Sequence, residues 1–257
     1  MSSIITLTTD FGQSIYTGIL KGVISSINSG LTIIDISHNV SKFNVSEAKF
    51  ILENSYFYFP FRTVHLAVID PGVGSERKSI VVKTEKYFFV GPDNGIFSFI
   101  NRNEIEKIYE IITNNSRISN TFHGRDIFAP IAAKIASSHP VSDFLKEIEP
   151  RATFTFFSKS ATIEYKVVYI DEFGNIILNL KKNHFLMSIN DRGTKWILNY
   201  KNKKFDKLAN NYFSVNKGEF LLLINSLGYL EISCREGNAA EQLKAAVGDE
   251  FSFRVYK

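Results

Sequence analysis

The first half of the chain alternates predicted strands with predicted helices, and this alternation limits its possible folds more than any other feature. After the strand-like run "IITLTTD", the residues Ile15, Ile19, Val23 and Ile27 recur at helical spacing. Five further segments continue the alternation: "LTIIDIS", "SEAKFILENSYFYF", "TVHLAVID", "SIVVKT" with "YFFVGPDNG", and "IFAPIAAKIASS". Strands separated by helices form a mainly parallel sheet with helices on both faces. We therefore predict an α/β domain over residues 1–152.

The second half is built differently. Pro140 and Pro150 interrupt the segment 137–160, which we interpret as a linker. Short runs of β-forming residues then follow one another, and the only helix predicted among them is "NAAEQLKAA". This pattern predicts a smaller all-β, barrel-like domain over residues 160–257.

Composition excludes several classes of protein. Hydrophobic residues make up 44% of the chain and charged residues 22%, as in soluble globular proteins. The formal charge of +4 is small and scattered, so we expect no nucleic-acid partner. No apolar run reaches the ~18 residues that span a bilayer, so we expect no membrane partner. Cys234 is the only cysteine and the N-terminus lacks a signal-peptide pattern, so we expect a cytoplasmic protein.

Polar residues collect where the predicted parallel strands end. Ligands bind beyond the carboxyl ends of such strands, because the loops diverge there and leave a crevice. The residues at these positions are Asp10, His38, Asp70, Arg77 and Asp93, joined by His123 and Arg125 from the loop "TFHGRD". Taken singly, each also fits a structural role as a turn or helix-capping residue. The sequence has no CxxC or HExxH motif, so we expect no metal and no cofactor.

Seven ordered segments together resemble one family. They are "TLTTDFG", "DISHNV", "AVIDPGVGSERK", "FVGPDNG" and "FHGRDIFAP" in the first domain, and "DEFGNIILN" and "NSLGYLEIS" with "EGNAA" in the second. With these, the chain resembles the S-adenosylmethionine hydroxide adenosyltransferases, which are S-adenosylmethionine hydrolases related to fluorinase and chlorinase. The resemblance implies an α/β domain followed by a barrel-like domain, and homotrimers with active sites between subunits.

The resemblance also implies a reaction, the cleavage of S-adenosylmethionine to adenosine and L-methionine by attack of water or hydroxide at ribose C5′. The hydrolase branch is marked by an Asp, an Arg and a His, which match Asp70, Arg77 and His123. Halogenases carry another residue at the Asp position, so this set favours hydroxide over halide. Arg77 would hold Asp70 ionised, and either Asp70 or His123 would accept the proton of the attacking water.

The resemblance assigns six substrate-binding residues as well. Two carboxylate oxygens of Asp10 match the paired hydroxyls of a ribose, Phe43 stacks near the sugar or adenine, and Asn175 reads the adenine edge. The methionine end meets three residues: Asp171, Ser226 and Glu231. Halogenase relatives have Arg after that Ser, whereas this chain has Leu227, which leaves open how the methionine carboxylate is held.

Two alternatives compete with this interpretation. Asp10, Asp70, Asp93 and His123 are the residue types of an oxygen-rich metal site, as in a metal-dependent phosphohydrolase. Arg77 and Arg125 beside those carboxylates would oppose a cation. The second alternative is a non-catalytic sensor of adenosyl ligands, which the presence of Asp70, Arg77 and His123 disfavours.

Overall fold

The computed structural model describes residues 4–113, 118–149, 164–189 and 194–256. The chain divides into two compact units, Met1–Ser158 and Lys159–Lys257. The predicted domain boundary, between residues 152 and 160, lies outside the described residues. No helix in the described part of the chain is long and apolar enough to cross a membrane.

The first unit contains one seven-stranded sheet with the strand order β2-β1-β3-β5-β4-β6-β7. The strands are β1 (Ile4–Thr9), β2 (Thr32–Ser37), β3 (Val64–Val68), β4 (Ser79–Thr84), β5 (Phe88–Pro92), β6 (Ile105–Ile111) and β7 (Leu145–Ile148). Strands β2, β1, β3 and β5 run parallel, which confirms the predicted α/β sheet. The remaining strands, β4, β6 and β7, extend it in antiparallel fashion.

Helices cover both faces of this sheet. They are α1 (Ile15–Ile27), α2 (Val45–Glu53) and α3 (Ala129–Ala136), and a π-helical turn, Gly124–Phe128, leads into α3. Successive residues of β3 point to opposite faces. Leu66 and Val68 therefore pack in the core that holds α1 and α3, whereas Ala67 and the following Ile69 pack in the core that holds α2.

The sequence prediction missed the strands β6 and β7. Strand β7 lies inside the segment interpreted as a linker, so that interpretation was wrong for residues 145–148. Both strands carry charged side chains, and Lys107 of β6 pairs with Glu147 of β7 at 2.7 Å. Charged residues on outer strands protect a sheet edge from aggregation, and they also hide the apolar alternation by which a strand is recognised.

The described part of the second unit is all-β apart from two short helices, as predicted for its fold class. Its strands are β8 (Val167–Ile170), β9 (Ile176–Lys181), β10 (Lys195–Tyr200), β11 (Lys203–Phe205), β12 (Phe220–Ile224), β13 (Tyr229–Cys234) and β14 (Ser252–Tyr256). They form two antiparallel sheets, β12-β13-β9-β8 and β11-β10-β14. The predicted helix is α5 (Ala239–Leu243), and α4 (Lys182–Ser188), which was not predicted, buries only Phe185.

Candidate active site

The carboxyl ends of the parallel strands carry the first group of predicted site residues. Thr9 of β1 is the direct neighbour of Val68 of β3. The loop after β1, which begins with Asp10, and the loop after β3, which contains Asp70, therefore leave the sheet side by side.

Arg77 connects Asp70 to His123. Its Nε donates to Asp70 Oδ1 at 2.8 Å, and its Nη2 donates both to Asp70 Oδ2 and to His123 Nδ1, the latter at 2.7 Å. Its Nη1 donates to Ser79 Oγ at 2.9 Å and to the Lys78 carbonyl at 3.4 Å. All five N–H groups of the guanidinium thus have acceptors, so its orientation is fixed.

Burial strengthens this arrangement. The side chains of Arg77 and Asp70 are only 10% and 6% exposed, and the guanidinium also lies over the Phe128 ring, 5.3 Å from its centre. A bidentate ion pair shielded from water is less screened than a surface pair. The geometry therefore holds the Asp70 carboxylate in place.

The contact with Arg77 determines which nitrogen of His123 carries a proton. A guanidinium only donates hydrogen bonds, so Nδ1 of His123 must accept and the proton of the neutral ring is on Nε2. Burial, followed by the charge of Arg77, lowers the pKa of His123 below its ordinary value. The imidazole is therefore neutral at neutral pH and presents an N–H donor.

Close backbone packing joins the two loops that carry these residues. Gly74 has a φ of +81°, and a Cβ at this position would lie 2.5 Å from the Asn120 carbonyl oxygen. Only glycine combines this conformation with so close an approach. The loop from Asp70 to Arg77 is thereby held against the chain that leads to His123.

Asp10 and Phe43, both predicted to bind substrate, are joined directly. The Phe43 N–H donates to Asp10 Oδ2 at 2.9 Å. Phe43 adopts a left-handed conformation, with φ at 64°, and its side chain is 67% exposed. An exposed aromatic ring in a fixed backbone conformation, beside an acceptor for sugar hydroxyls, is suited to a nucleoside.

His38 supports the Asp10 loop. Its Nδ1 lies 2.8 Å from Thr9 Oγ1, and its carbonyl accepts the N–H of Gly12 at 2.7 Å. Both contacts hold residues that flank Asp10, so His38 has the structural role that the sequence left open.

The second unit holds a groove of about 770 Å³ that contains all four remaining predicted residues. Asp171, Asn175, Ser226 and Glu231 line it together with Leu227. Strands β9 and β13 are adjacent and antiparallel, which brings residues distant in sequence into one groove.

A tight turn fixes Asp171 and Asn175. Asp171 Oδ1 accepts the N–H groups of Phe173 and Asn175 at 3.0 and 2.9 Å, and its Oδ2 accepts the Asn175 amide at 2.9 Å. Gly174 has a φ of +78°, and a Cβ there would overlap the Asn238 side chain. The Asn175 carboxamide is thus oriented by Asp171 while its oxygen stays available to a ligand.

Glu231 is a buried carboxylate held by hydroxyl groups. It is 3% exposed, and its Oε1 accepts from Tyr212 Oη at 2.8 Å and from Ser233 Oγ at 2.6 Å. Burial, together with Glu231, raises the pKa of Tyr212 to about 12, so this phenol remains a neutral donor.

Four residues contribute to these sites without having been predicted. Ser79 and Phe128 position Arg77, and the exposed rings of Phe173 and Tyr212 line the groove. Phe173 lies inside the motif "DEFGNIILN" and Phe128 lies inside "FHGRDIFAP", so position within a motif was a usable signal for both. Ser79 and Tyr212 are identified only by three-dimensional contacts.

The residues considered for a metal site do not form one. In the described ranges, no group of three or more His, Cys, Asp or Glu side chains is arranged to hold a metal ion. Both oxygens of Asp70 are instead engaged by Arg77.

Comparisons with known proteins identify the same family in both halves of the chain. Residues 5–145 match the model of the SAM hydroxide adenosyltransferase N-terminal domain, and residues 165–252 match that of the C-terminal domain. The chain is 40% identical to (R)-S-adenosyl-L-methionine hydrolase of Methanocaldococcus jannaschii, over 96% of this chain and 94% of that protein. It is 23% identical to a fluorinase of Actinopolyspora mzabensis, over 64% and 66% of the two chains.

Solved structures agree with the fold. An uncharacterized conserved protein from Thermotoga maritima superposes with a TM-score of 0.86 at 34% identity, over 98% of this chain and 100% of that one. Both domains of the family match in order, and a relative of 40% identity covers almost the full length of the chain. These findings establish the family of the protein. This chain belongs to the SAM hydroxide adenosyltransferase family.

Proposed function

We propose that this protein hydrolyses S-adenosyl-L-methionine to adenosine and L-methionine. The observation that carries the proposal is the arrangement in which Arg77, in the loop that follows the parallel strand β3, binds both Asp70 and His123. The hydrolase names of relatives such as that of Methanocaldococcus jannaschii support it.

The reaction makes modest demands on the protein. Methionine leaves the sulfonium as a neutral thioether, so the leaving group needs no proton. The enzyme has to place one water molecule in line with the bond between C5′ and sulfur and exclude competing geometries. As the new bond to C5′ forms, the attacking oxygen becomes strongly acidic, so a carboxylate suffices as the proton acceptor.

We assign the proton acceptor to Asp70 and a donor role to His123. Arg77 occupies one acceptor position on each oxygen of Asp70, and a carboxylate has further lone pairs to accept from water. His123 has its Nδ1 engaged by Arg77, so only Nε2–H is left to orient the oxygen of the water. The sequence left open whether Asp70 or His123 accepts the proton of the attacking water, and this proposal gives that role to Asp70.

Substrate binding follows from the remaining contacts. Asp10 would accept from the ribose hydroxyls, with Phe43 against the sugar or adenine. Asn175, oriented by Asp171, would pair with the adenine edge, because an amide both donates and accepts. Ser226 and Glu231, with Asp171, would contact the methionine end.

Assembly is part of the proposal. The proton-transfer residues belong to the first unit and the groove residues to the second, and the family resemblance implies a trimer. We infer a homotrimer in which each active site combines the first unit of one subunit with the second unit of a neighbour. We also propose that the domains divide between residues 152 and 160 and that the protein acts in the cytoplasm.

One experiment separates this function from its alternatives. Purified protein is incubated with S-adenosyl-L-methionine in oxygen-18 water, with and without a chelator, and the products are identified by mass. Hydrolysis at C5′ puts the label on the 5′ hydroxyl of adenosine and leaves methionine unlabelled. Binding without turnover would indicate a sensor, and activity that disappears with chelation and returns with a divalent ion would indicate metal chemistry.

A further inference from the structure

The groove of the second unit is acidic. Its described lining residues include three carboxylates, Asp171, Glu231 and Glu236, and no Lys, Arg or His. Glu236 is neutralised at the rim by Lys217, 2.9 Å away. Two acids, Asp171 and Glu231, remain without an ion-pair partner among the described residues.

The two acids lack a cation rather than a hydrogen bond. Asp171 accepts from two backbone N–H groups and one amide, and Glu231 accepts from two hydroxyls. All five donors are neutral. A carboxylate as buried as Glu231 is costly without a positive partner, and an ammonium group on a ligand would supply one.

A carboxylate on the ligand finds no comparable partner in the groove. Leu227, beside Ser226, is apolar and 38% exposed, and the neutral groups nearby include the Ser226 hydroxyl and the Asn210 and Asn211 amides. A negative group here gains neutral hydrogen bonds and is repelled by two carboxylates.

We propose, resting on the hydrolase function above, that the groove of the second unit binds the ammonium group and not the carboxylate of the substrate. The protein therefore also hydrolyses adenosyl sulfonium ions whose side chain is aminopropyl, without a carboxylate. In that reaction a bond forms between the water oxygen and C5′, and the bond between C5′ and sulfur breaks. The electron pair stays on sulfur as a neutral methyl aminopropyl thioether, and the proton of water leaves through Asp70.

The test compares three substrates: S-adenosyl-L-methionine, its aminopropyl analogue without the carboxylate, and its carboxypropyl analogue without the ammonium. We expect kcat/KM for the aminopropyl analogue to stay within about tenfold of that for S-adenosyl-L-methionine, since no buried cation loses its partner. The carboxypropyl analogue should fall by ~10²-fold or more, because it leaves Glu231 unpaired.

Two variants sharpen the comparison. Leu227→Arg adds a cation to the groove and should raise the preference for S-adenosyl-L-methionine over the aminopropyl analogue by roughly tenfold. Met187→Arg adds the same charge at a side chain that is 77% exposed and lies outside the groove lining, and it should leave that ratio unchanged. Glu231→Gln should reduce the difference between the aminopropyl and carboxypropyl analogues, and circular dichroism shows whether this variant is folded.

The outcomes are distinct. If S-adenosyl-L-methionine itself is not hydrolysed, the proposed function fails. If it is hydrolysed while the aminopropyl analogue is slower than the carboxypropyl analogue, carboxylate recognition dominates and the inference is overturned with the function intact.

Discussion

Nη2 of Arg77 lies 2.7 Å from Nδ1 of His123 while the same atom binds Asp70. One guanidinium therefore fixes the position of the carboxylate, and after burial it is the next cause of the lowered pKa that keeps the imidazole neutral. Both effects depend on the planar fork of arginine, which reaches two acceptors at once.

Arg77→Lys should lower kcat by ~10²-fold with little change in KM, because one ammonium cannot reproduce five directed N–H groups. Steady-state kinetics with S-adenosyl-L-methionine measures both constants. Arg102→Lys is the matched control, since Arg102 is exposed and belongs to a short 3₁₀ turn that leads into β6 and carries none of the candidate site residues. A variant Arg77→Lys with normal kcat would remove the guanidinium from the mechanism.

The activity should fall at acid pH because of His123. Its folded-state pKa is lowered below the ordinary value of about 6.5, so the ring is neutral at pH 7 and protonates on the acid side of that value. Protonation adds a hydrogen to Nδ1, which then faces the Arg77 donor. We expect kcat to be flat from neutral pH upward and to decrease on the acid side.

Variants of His123 test the assignment of its nitrogens. His123→Gln can place an amide N–H near the position of Nε2, and we expect it to keep more activity than His123→Ala, which should lose ~10²-fold. The decrease of kcat at acid pH should change in His123→Gln, because glutamine does not titrate. If His123→Gln shows the same decrease of kcat as the natural protein, a group other than His123 causes it.

His65 should make folding stability depend on pH. It is fully buried, its Nδ1 lies 2.8 Å from Thr6 Oγ1, and its Nε2 has no partner among the described residues. Burial lowers its pKa to about 3, below the unfolded value of about 6.5. The unfolded chain therefore binds more protons between these values, and the free energy of unfolding falls as pH drops from 6.5 toward 3.

The contribution of His65 is about 1.4 kcal/mol per pH unit, on the order of 4 kcal/mol across the window. Urea unfolding at several pH values measures it. The free energy of unfolding should change less steeply with pH in His65→Leu, by the amount that corresponds to about one bound proton. His139→Leu, at an exposed histidine, should keep the pH dependence of the natural protein. The same pH dependence in the natural protein and both variants would refute the assignment to His65.

Mixed trimers test the shared active site. Chains with Asp70→Ala and chains with Asn175→Ala should each be inactive as homotrimers. After co-refolding of an equal mixture, about one site in four (½ × ½) receives an intact first unit and an intact second unit from neighbouring subunits. Activity should rise to roughly a quarter of the normal level. Mixed trimers verified by mass spectrometry that stay inactive would place each site within one chain.

The sequence alone determined the class of each half of the chain and supplied the candidate residues of the site. Periodicity and turn residues are local properties, so the parallel strands, α1 and α3 were predictable, as was the all-β second half. The ordered motifs identified Asp70, Arg77, His123 and the groove residues, because each motif keeps its spacing wherever the chain folds.

Only the tertiary structure decided how those residues act on one another. The tautomer of His123 depends on a contact with a residue 46 positions away, and the orientation of Arg77 depends on Ser79 and the ring of Phe128. The acidity of the groove arises because Asp171, in the turn before β9, and Glu231, on the neighbouring strand β13, meet with no cation among the described lining residues. Hydrogen-bond direction, burial and net local charge are set by distances between side chains, and spacing along the chain does not fix those distances.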